Sequence, residues 1–452
     1  MTNQLQQPLF SRDALIRLIG PLIIEQLLLM TVGMADTVMV TTAGEAAVSG
    51  VSLVDNINTL IIQIFSALST GGAVVVSQYL GRQDLDNAKT ASKQLLYTMC
   101  TVSVLLMAVA LVFRQHILSL IFGRVEADVM DSALIYFLLT AAAYPFMGIY
   151  NAGAALFRAM GNSKVSMFCS LIINIINIVV NAIFIFGFHF GAAGAGIGTL
   201  ASRIAAAIII MALLNHPDHT VRVEGLLHVQ INGGMIKRIL FIGIPNGLEN
   251  GMFQAGKLMV LNLITTFGTS AVAANAIANS VAGVVNVPGM ALGLAIITVI
   301  GRCMGAGATD QAVSYTKRLV GASYVFMFIM STAMFFGADF LVSLFNLSPE
   351  AVTMAAQVLR ICAVGNVIFW PMAFTLPNSL RAAGDAVFTM IVSLCSMFAC
   401  RVALSYFLAC SWGLNLGLAG VWLAMVADWV VRSAFFLIRY WRGGWKKIKV
   451  IE

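Results

Sequence analysis

Twelve stretches of this chain are each about 20 residues or more in length and predominantly apolar, a pattern that leaves few folds open. Hydrocarbon offers no hydrogen-bond partners, so a chain segment inside it must satisfy its own backbone. The runs fall at roughly 15–40, 51–80, 93–113, 128–157, 165–188, 193–214, 238–263, 271–300, 319–345, 351–378, 387–410 and 417–438. The expected fold is an all-α polytopic membrane protein with twelve transmembrane helices. Composition agrees: 10% of the 452 residues are charged, against about 25% in soluble domains. The polar start "MTNQLQQPLFSRD" does not read as a cleaved signal peptide. The seven cysteines are scattered and form no C-x-x-C pair, so they read as small core residues.

The basic residues set the orientation. Arg82, Lys89 and Lys93 follow the second span, and Arg158 and Lys164 the fourth. Arg222, Lys237 and Arg238 lie between the sixth and seventh, Arg302, Lys317 and Arg318 between the eighth and ninth, and Arg381 follows the tenth. Only Arg114 and Arg124 fall in the opposite loops. The positive-inside rule then puts both termini in the cytoplasm. The same distribution explains the basic balance without nucleic acid as a partner; the partner is the lipid bilayer.

The sequence also matches itself at an offset of about 224 residues, so Pro21 and Glu25 fall on Pro245 and Glu249. "ALFRAMGN" at 155–162 falls on "NSLRAAGD" at 378–385. The expected organisation is an N-terminal six-helix lobe (1–214), a cytoplasmic linker (215–236), a C-terminal six-helix lobe (237–438) and a basic cytoplasmic tail (439–452). Six spans per half give both halves the same orientation, related by a pseudo-two-fold axis along the membrane normal. The two R-A-x-G stretches read as helix stops, with glycine ending the helix and arginine meeting its last carbonyls. His216, Asp218 and His219 in the linker read as a solvated loop before a metal site.

Polar groups inside spans are costly and point to function. Glu25 and Asp36 share one face of the first span, about 16 Å apart along its axis. Asn174, Asn177 and Asn181 share one face of the fifth, which is otherwise Ile, Val and Phe. Those amides can be interhelical glue. They can also join Asp36 in a pocket of oxygen ligands for a hard cation such as Na⁺, or in a proton relay. In the seventh span Asn246, Asn250, Gln254 and Lys257 form a stripe flanked by Glu249. Lys257 stands about 12 Å from Glu249 along a straight helix, too far for a direct pair. Pro245 leaves the Phe241 carbonyl without a donor and favours a bend. Asp55 and Asn56 read as solvated residues opening the second span. Arg203, Arg360 and Arg401 lie within spans, and Asp428 and Arg432 are spaced for a local ion pair.

Taken together, "GMADTVMV" around Asp36, "RAMGN" and "RAAGD" after the fourth and tenth spans, "NIVVNAIFIFG" and "PNGLE" resemble the multidrug and toxic compound extrusion family of antiporters. The resemblance covers essentially the whole chain and is nearest to the bacterial NorM-like branch. It implies two lobes in a V and a protein that acts as a monomer in the inner (plasma) membrane. It implies export of amphipathic, often cationic small molecules driven by inward Na⁺ or H⁺, with no bound cofactor. Asp36 matches the family's coupling residue, Glu249 its seventh-span carboxylate, and Thr199 its threonine after the span 5–6 glycines. The family's N-x-x-x-D reads Asn177 to Asn181 here, so the second ligand is an amide. The tenth-span aspartate of the NorM-like branch is Trp370 here, which leaves the coupling ion unassigned. Glu25, Asn174, Arg203, Asn250, Gln254, Lys257 and Trp370 are then the expected substrate-cleft residues.

Three rivals differ in what they need. A lipid-linked oligosaccharide flippase would use Arg203 and Arg401 for a pyrophosphate. An enzyme would need a nucleophile or metal set such as H-E-x-x-H, and the five histidines sit in loops or at span ends. A passive channel would ignore a counter-ion gradient.

Overall fold

The computed structural model describes residues 8–451 apart from 124, 125, 218, 224, 227 and 346. Arg124 and Asp218 therefore lie outside the described residues. The chain forms two compact units: Arg12–Gly247, and Leu248–Glu452 together with the segment before Arg12.

The first unit holds α1 (Arg12–Val40), α2 (Glu45–Gly81), α3 (Leu85–Phe122), α4 (Ala127–Ala142), α5 (Tyr144–Ala159), α6 (Ser163–Asn181) and α7 (Ala192–Leu214). Helix α3 starts at a side-chain cap, where Asp84 accepts from the Asn87 backbone N–H at 3.1 Å and from its amide at 2.8 Å. Those two bonds hold the Asp84 carboxyl below the usual carboxylate range. The expected fourth span is a pair, α4 and α5, bent by 46°. The bend falls at Ala143, two residues before Pro145. Helix α6 widens into a π-helical turn over Ala182–Gly187. Helix α1 runs through Pro21, which cannot donate to the Arg17 carbonyl. The Ser163 hydroxyl donates to the neighbouring Leu18 carbonyl at 2.6 Å and reaches Arg17 at 3.4 Å.

Helix α8 (Gly233–Thr265) contributes to both units, since the boundary falls between Gly247 and Leu248. Its first half packs on α2: the Tyr79 hydroxyl accepts from Arg238, and a Cβ at Gly71 would overlap the α8 backbone at Ile239. The linker before it lies along α3, with Gln94 bonded to the Gln230 carbonyl at 2.6 Å and to the Asn232 N–H at 3.1 Å.

The second unit continues with α9 (Thr269–Gly305), α10 (Thr309–Ser343), α11 (Pro349–Ile368), α12 (Pro377–Ala382), α13 (Ala386–Ser396), α14 (Leu404–Ala409) and α15 (Gly417–Arg442). π-Helical turns at Pro371–Thr375 and Met397–Ala403 join α11 to α12 and α13 to α14. Its core is built on small residues: Ala271, Ala274, Ala278 and Ala282 make one face of α9, and Ala351, Ala355 and Cys362 line α11. Small side chains at that spacing let helices approach closely where there is no water to drive them together. The segment before α1 is seated here. The Phe10 N–H donates to the Tyr315 hydroxyl at 3.0 Å, that hydroxyl donates to the Phe10 carbonyl at 2.8 Å, and Arg302 stands over the Phe10 ring at 5.7 Å. At the other end Trp441 is exposed, whereas Trp445 is buried and stacked on Tyr440 at 5.2 Å.

Among the described residues, ten helices are long and apolar enough to cross a membrane, or eleven with the α4–α5 pair. The remaining expected crossing is α8, 33 residues long, whose middle carries Asn246, Glu249, Asn250 and Gln254 and is less apolar than the other spans. The chain is an all-α, multi-pass membrane protein. All seven cysteines are unbridged; Cys169, Cys303 and Cys362 are buried, while Cys100 and Cys395 are on the surface rather than in the core.

Candidate functional site

In the first unit α1, α6 and α7 bring their polar residues to one point. The Asn181 amide donates to Asp36 Oδ1 at 2.5 Å and to Asn177 Oδ1 at 3.3 Å. Asp36 is 6% exposed and Asn181 is fully buried. This approach depends on Gly198 of α7, because a Cβ there would overlap Asn181 Oδ1. Four atoms around the pocket are buried without a hydrogen bond of ordinary geometry among the described residues: Asn177 Nδ2, Asn181 Oδ1, Thr199 Oγ1 and Arg203 Nε. Arg203 is within electrostatic reach of Asp36 and of the Tyr136 and Tyr150 hydroxyls. Buried polar atoms are normally paired, so a cluster of exceptions beside a carboxylate calls for a further partner such as a water or an ion.

The structure divides the asparagine triad. Asn174 is the interhelical glue: its amide donates to the Leu28 carbonyl at 3.0 Å and the Ser170 carbonyl at 2.8 Å, and its oxygen accepts from Thr31 at 3.0 Å. Asn177 and Asn181, one and two turns further on, belong to Asp36. Next to them is a network that the sequence reading passed over. Asp55 on α2 accepts from the Tyr136 hydroxyl at 3.0 Å and from Asn58 at 3.4 Å, and Asn58 accepts from Tyr144 at 3.0 Å. Helix α2 begins at Glu45, so Asp55 is well inside it and not a solvated end residue. The alternating polar residues Asp55 and Asn58 on one helix face were the available signal.

The two glutamates of the repeat have matching partners. Arg158 donates to Glu25 at 2.9 Å and Ser166 donates to it at 2.6 Å. Arg381 donates to Glu249 at 2.6 Å and Ser393 donates to it at 2.7 Å. Glu25 is 1% exposed and Glu249 is 7% exposed. The glycines of both R-A-x-G stretches do end their helices, with φ of 83° at Gly161 and 101° at Gly384. Their arginines reach carboxylates, Arg158 at Glu25 and Arg381 at Glu249. Each half thus has a buried clasp of glutamate, arginine and serine. A buried ion pair of this kind costs about 3–5 kcal/mol to break from one side.

The other expected residues are more dispersed. Trp370 is 5% exposed; it stacks on Phe374 at 5.2 Å and fills the space that a Cβ at Gly289 would overlap. Asn250 and Gln254 are half-buried on α8. Lys257 and Arg401 stand at the Phe253 ring, 5.9 and 5.0 Å from its centroid. Arg432 is there too, and makes the expected pair with Asp428 at 2.9 Å. Arg360 pairs with Asp339 at 2.5 Å on the surface. Among the described residues no group of three His, Cys, Asp or Glu could hold a metal ion. Any cation at Asp36 would be held by one carboxylate with Asn181 Oδ1, Thr199 Oγ1 and Asn177 as neutral ligands.

The sequence profile of the MatE family matches residues 21–183 and 242–407. The chain is similar to the probable multidrug resistance protein NorM of Thermotoga maritima, 26% identical over 445 residues, covering 97% of this chain and 94% of that one. It is similar to the multidrug export protein MepA of Staphylococcus aureus, 22% identical over 87% of this chain and 85% of that one. Among solved structures, an outward-facing multidrug resistance MATE transporter superposes with a TM-score of 0.88 at 20% identity over 95% of each chain. A MATE crystal structure in complex with MaL6 gives 0.90 at 20% identity over 98% of each.

Proposed function

The chain belongs to the MatE family of membrane transporters, and from that premise we propose that it is a secondary antiporter exporting amphipathic small molecules in exchange for Na⁺ or H⁺. The relatives are named for multidrug resistance and export, so drug-like compounds are the first substrates to test. The observation that carries the reading is the Asp36 pocket, a carboxylate at membrane depth beside oxygens that lack partners among the described residues.

Two carboxylates near each other out of water, Asp36 and Asp55, with Arg203 in electrostatic reach of Asp36, favour uptake of a cation or a proton. Asp36, Asn181 Oδ1 and Thr199 Oγ1 are hard oxygen ligands of the kind that suit Na⁺. A proton on Asp36 would neutralise the same charge. Either ion, arriving from outside, changes what Asp36 asks of the Asn181 amide and lets α1 and α6 repack. That repacking is the two-state element that alternating access requires. Ion and substrate then bias the same equilibrium, and their coupling is reciprocal. Asn250, Gln254 and Lys257 on α8 are the proposed substrate contacts. Glu249 is held by Arg381 and Ser393 as Glu25 is by Arg158 and Ser166, which supports assigning coupling to Asp36. Both termini are proposed to be cytoplasmic, in the inner membrane, with the monomer as the working unit.

The test is ethidium efflux from proteoliposomes under Na⁺ and H⁺ gradients imposed separately. One gradient should drive efflux, and Asp36→Asn should abolish the drive. Efflux that ignores both gradients, or that survives the substitution undiminished, would sink the proposal.

A further inference from the structure

The chain after Leu248 gathers positive charge around one ring. Phe253 on α8 has Arg401 at 5.0 Å, Arg432 at 5.5 Å and Lys257 at 5.9 Å from its centroid. Asp428 is the carboxylate bonded within this group; it accepts from Arg432 and Ser396 and is within electrostatic reach of Arg401. Glu249, one turn before Phe253, is engaged by Arg381 and Ser393. Three cations against one carboxylate leave two positive charges.

Packing accounts for one cation of the three. Arg432 has Asp428 at 2.9 Å and the Ser393 carbonyl at 3.2 Å. Arg401 is 9% exposed, yet its guanidinium forms no hydrogen bond or ion pair among the described residues. Its contact with Phe253 is a weak attraction beside the cost of taking an ion out of water. Lys257, exposed on the protein, has no ion pair among the described residues either. Unpaired cations at span depth mark the path of a substrate. Arg401 also belongs to the π-helical turn Met397–Ala403, a distortion retained at functional positions.

We infer that Phe253, Lys257 and Arg401 form a subsite for an anionic group carried on a flat aromatic body. The aromatic part packs beside Phe253. Its carboxylate, sulfonate or phosphate meets the lysine as a point charge and the guanidinium as a planar fork. The inference rests on the export reading and adds anions and zwitterions to the amphipathic substrates proposed there.

The test compares two dyes that share one ring system. Rhodamine 110 carries a free carboxylate; rhodamine 123 is its methyl ester. Binding to the purified protein in phosphatidylcholine nanodiscs is read by fluorescence polarisation, with no gradient present. Failure of the antiport reading would show in vesicle efflux, whereas failure of this one shows in equilibrium binding. Rhodamine 110 should bind more tightly than its ester. Arg401→Gln and Lys257→Gln should each weaken rhodamine 110 by about ten-fold or more and leave the ester within about two-fold. Arg401→Lys should restore much of the loss. Lys257→Gln, at an exposed position, keeps the test valid if Arg401→Gln does not fold. Equal binding of the two dyes, or equal weakening of both by the variants, would overturn the inference. So would competition by phosphatidylglycerol that both Gln variants abolish, since that assigns the subsite to a lipid phosphate.

Discussion

Helices α1 and α8 each carry a proline and, four residues on, a glutamate buried against an arginine and a serine. Beyond that clasp the two diverge. Three turns along, α1 has Asp36, while the matching position of α8 is Val260. Where α8 has Lys257, α1 has Gly33. The helix packed on α1 supplies Asn177 and Asn181, and its counterpart in the other half supplies Arg401. Duplication has kept the fastening and inverted the charge of the site. What both halves retain belongs to the architecture, and what they do not share is where ion and substrate chemistry were free to separate.

The comparison can be broken most directly at the clasp. Arg158→Met and Arg381→Met each strand a buried glutamate, so each should lower stability by about 3–5 kcal/mol, read as a drop in Tm in detergent. A large loss in one half and none in the other would show that the two clasps are not equivalent. Ser166→Ala and Ser393→Ala remove a hydrogen bond to a charged group and should cost about 1.5–3 kcal/mol each. Gly198→Ala drives a methyl into Asn181 and should cost about 1–3 kcal/mol. Its coupling should fall further than its Tm, and an unchanged ion response would remove Asn181 from the site. The smallest change in stability should come from Asp36→Asn, under about 1 kcal/mol, together with loss of gradient-driven efflux. If Glu249→Gln instead leaves Tm unaltered and abolishes coupling, the assignment of clasp and site is reversed.

The helices were legible because length and apolarity alone define them. Asp36, Asn177 and Asn181 were legible because polar groups are conspicuous against Ile and Val. The clasps were not, since Glu25 and Arg158 are 133 residues apart and nothing local joins them. The repeat showed that both glutamates recur and that both arginines recur, without showing that they meet. Asp55 was missed because the span was expected to open at residue 51, and α2 already begins at Glu45. Trp370 stands where an aspartate was expected, and the structure uses it as filling for the space beside Gly289. The charge around Phe253 was present as single residues, but a π-helical turn determines where Arg401 points, and hydropathy does not register such turns.

The seat of Phe10 has a consequence for how the protein is made. Its partner Tyr315 lies 305 residues later in the chain. At ribosomal speeds of about 5–20 residues per second, roughly 15–60 s pass before that partner exists. Through that interval α1 can enter the bilayer and find α6, but the segment just before Arg12 has no docking place. A bulky fusion at the N-terminus would burden this late step, and assembly yield would fall while the already inserted helices remained intact.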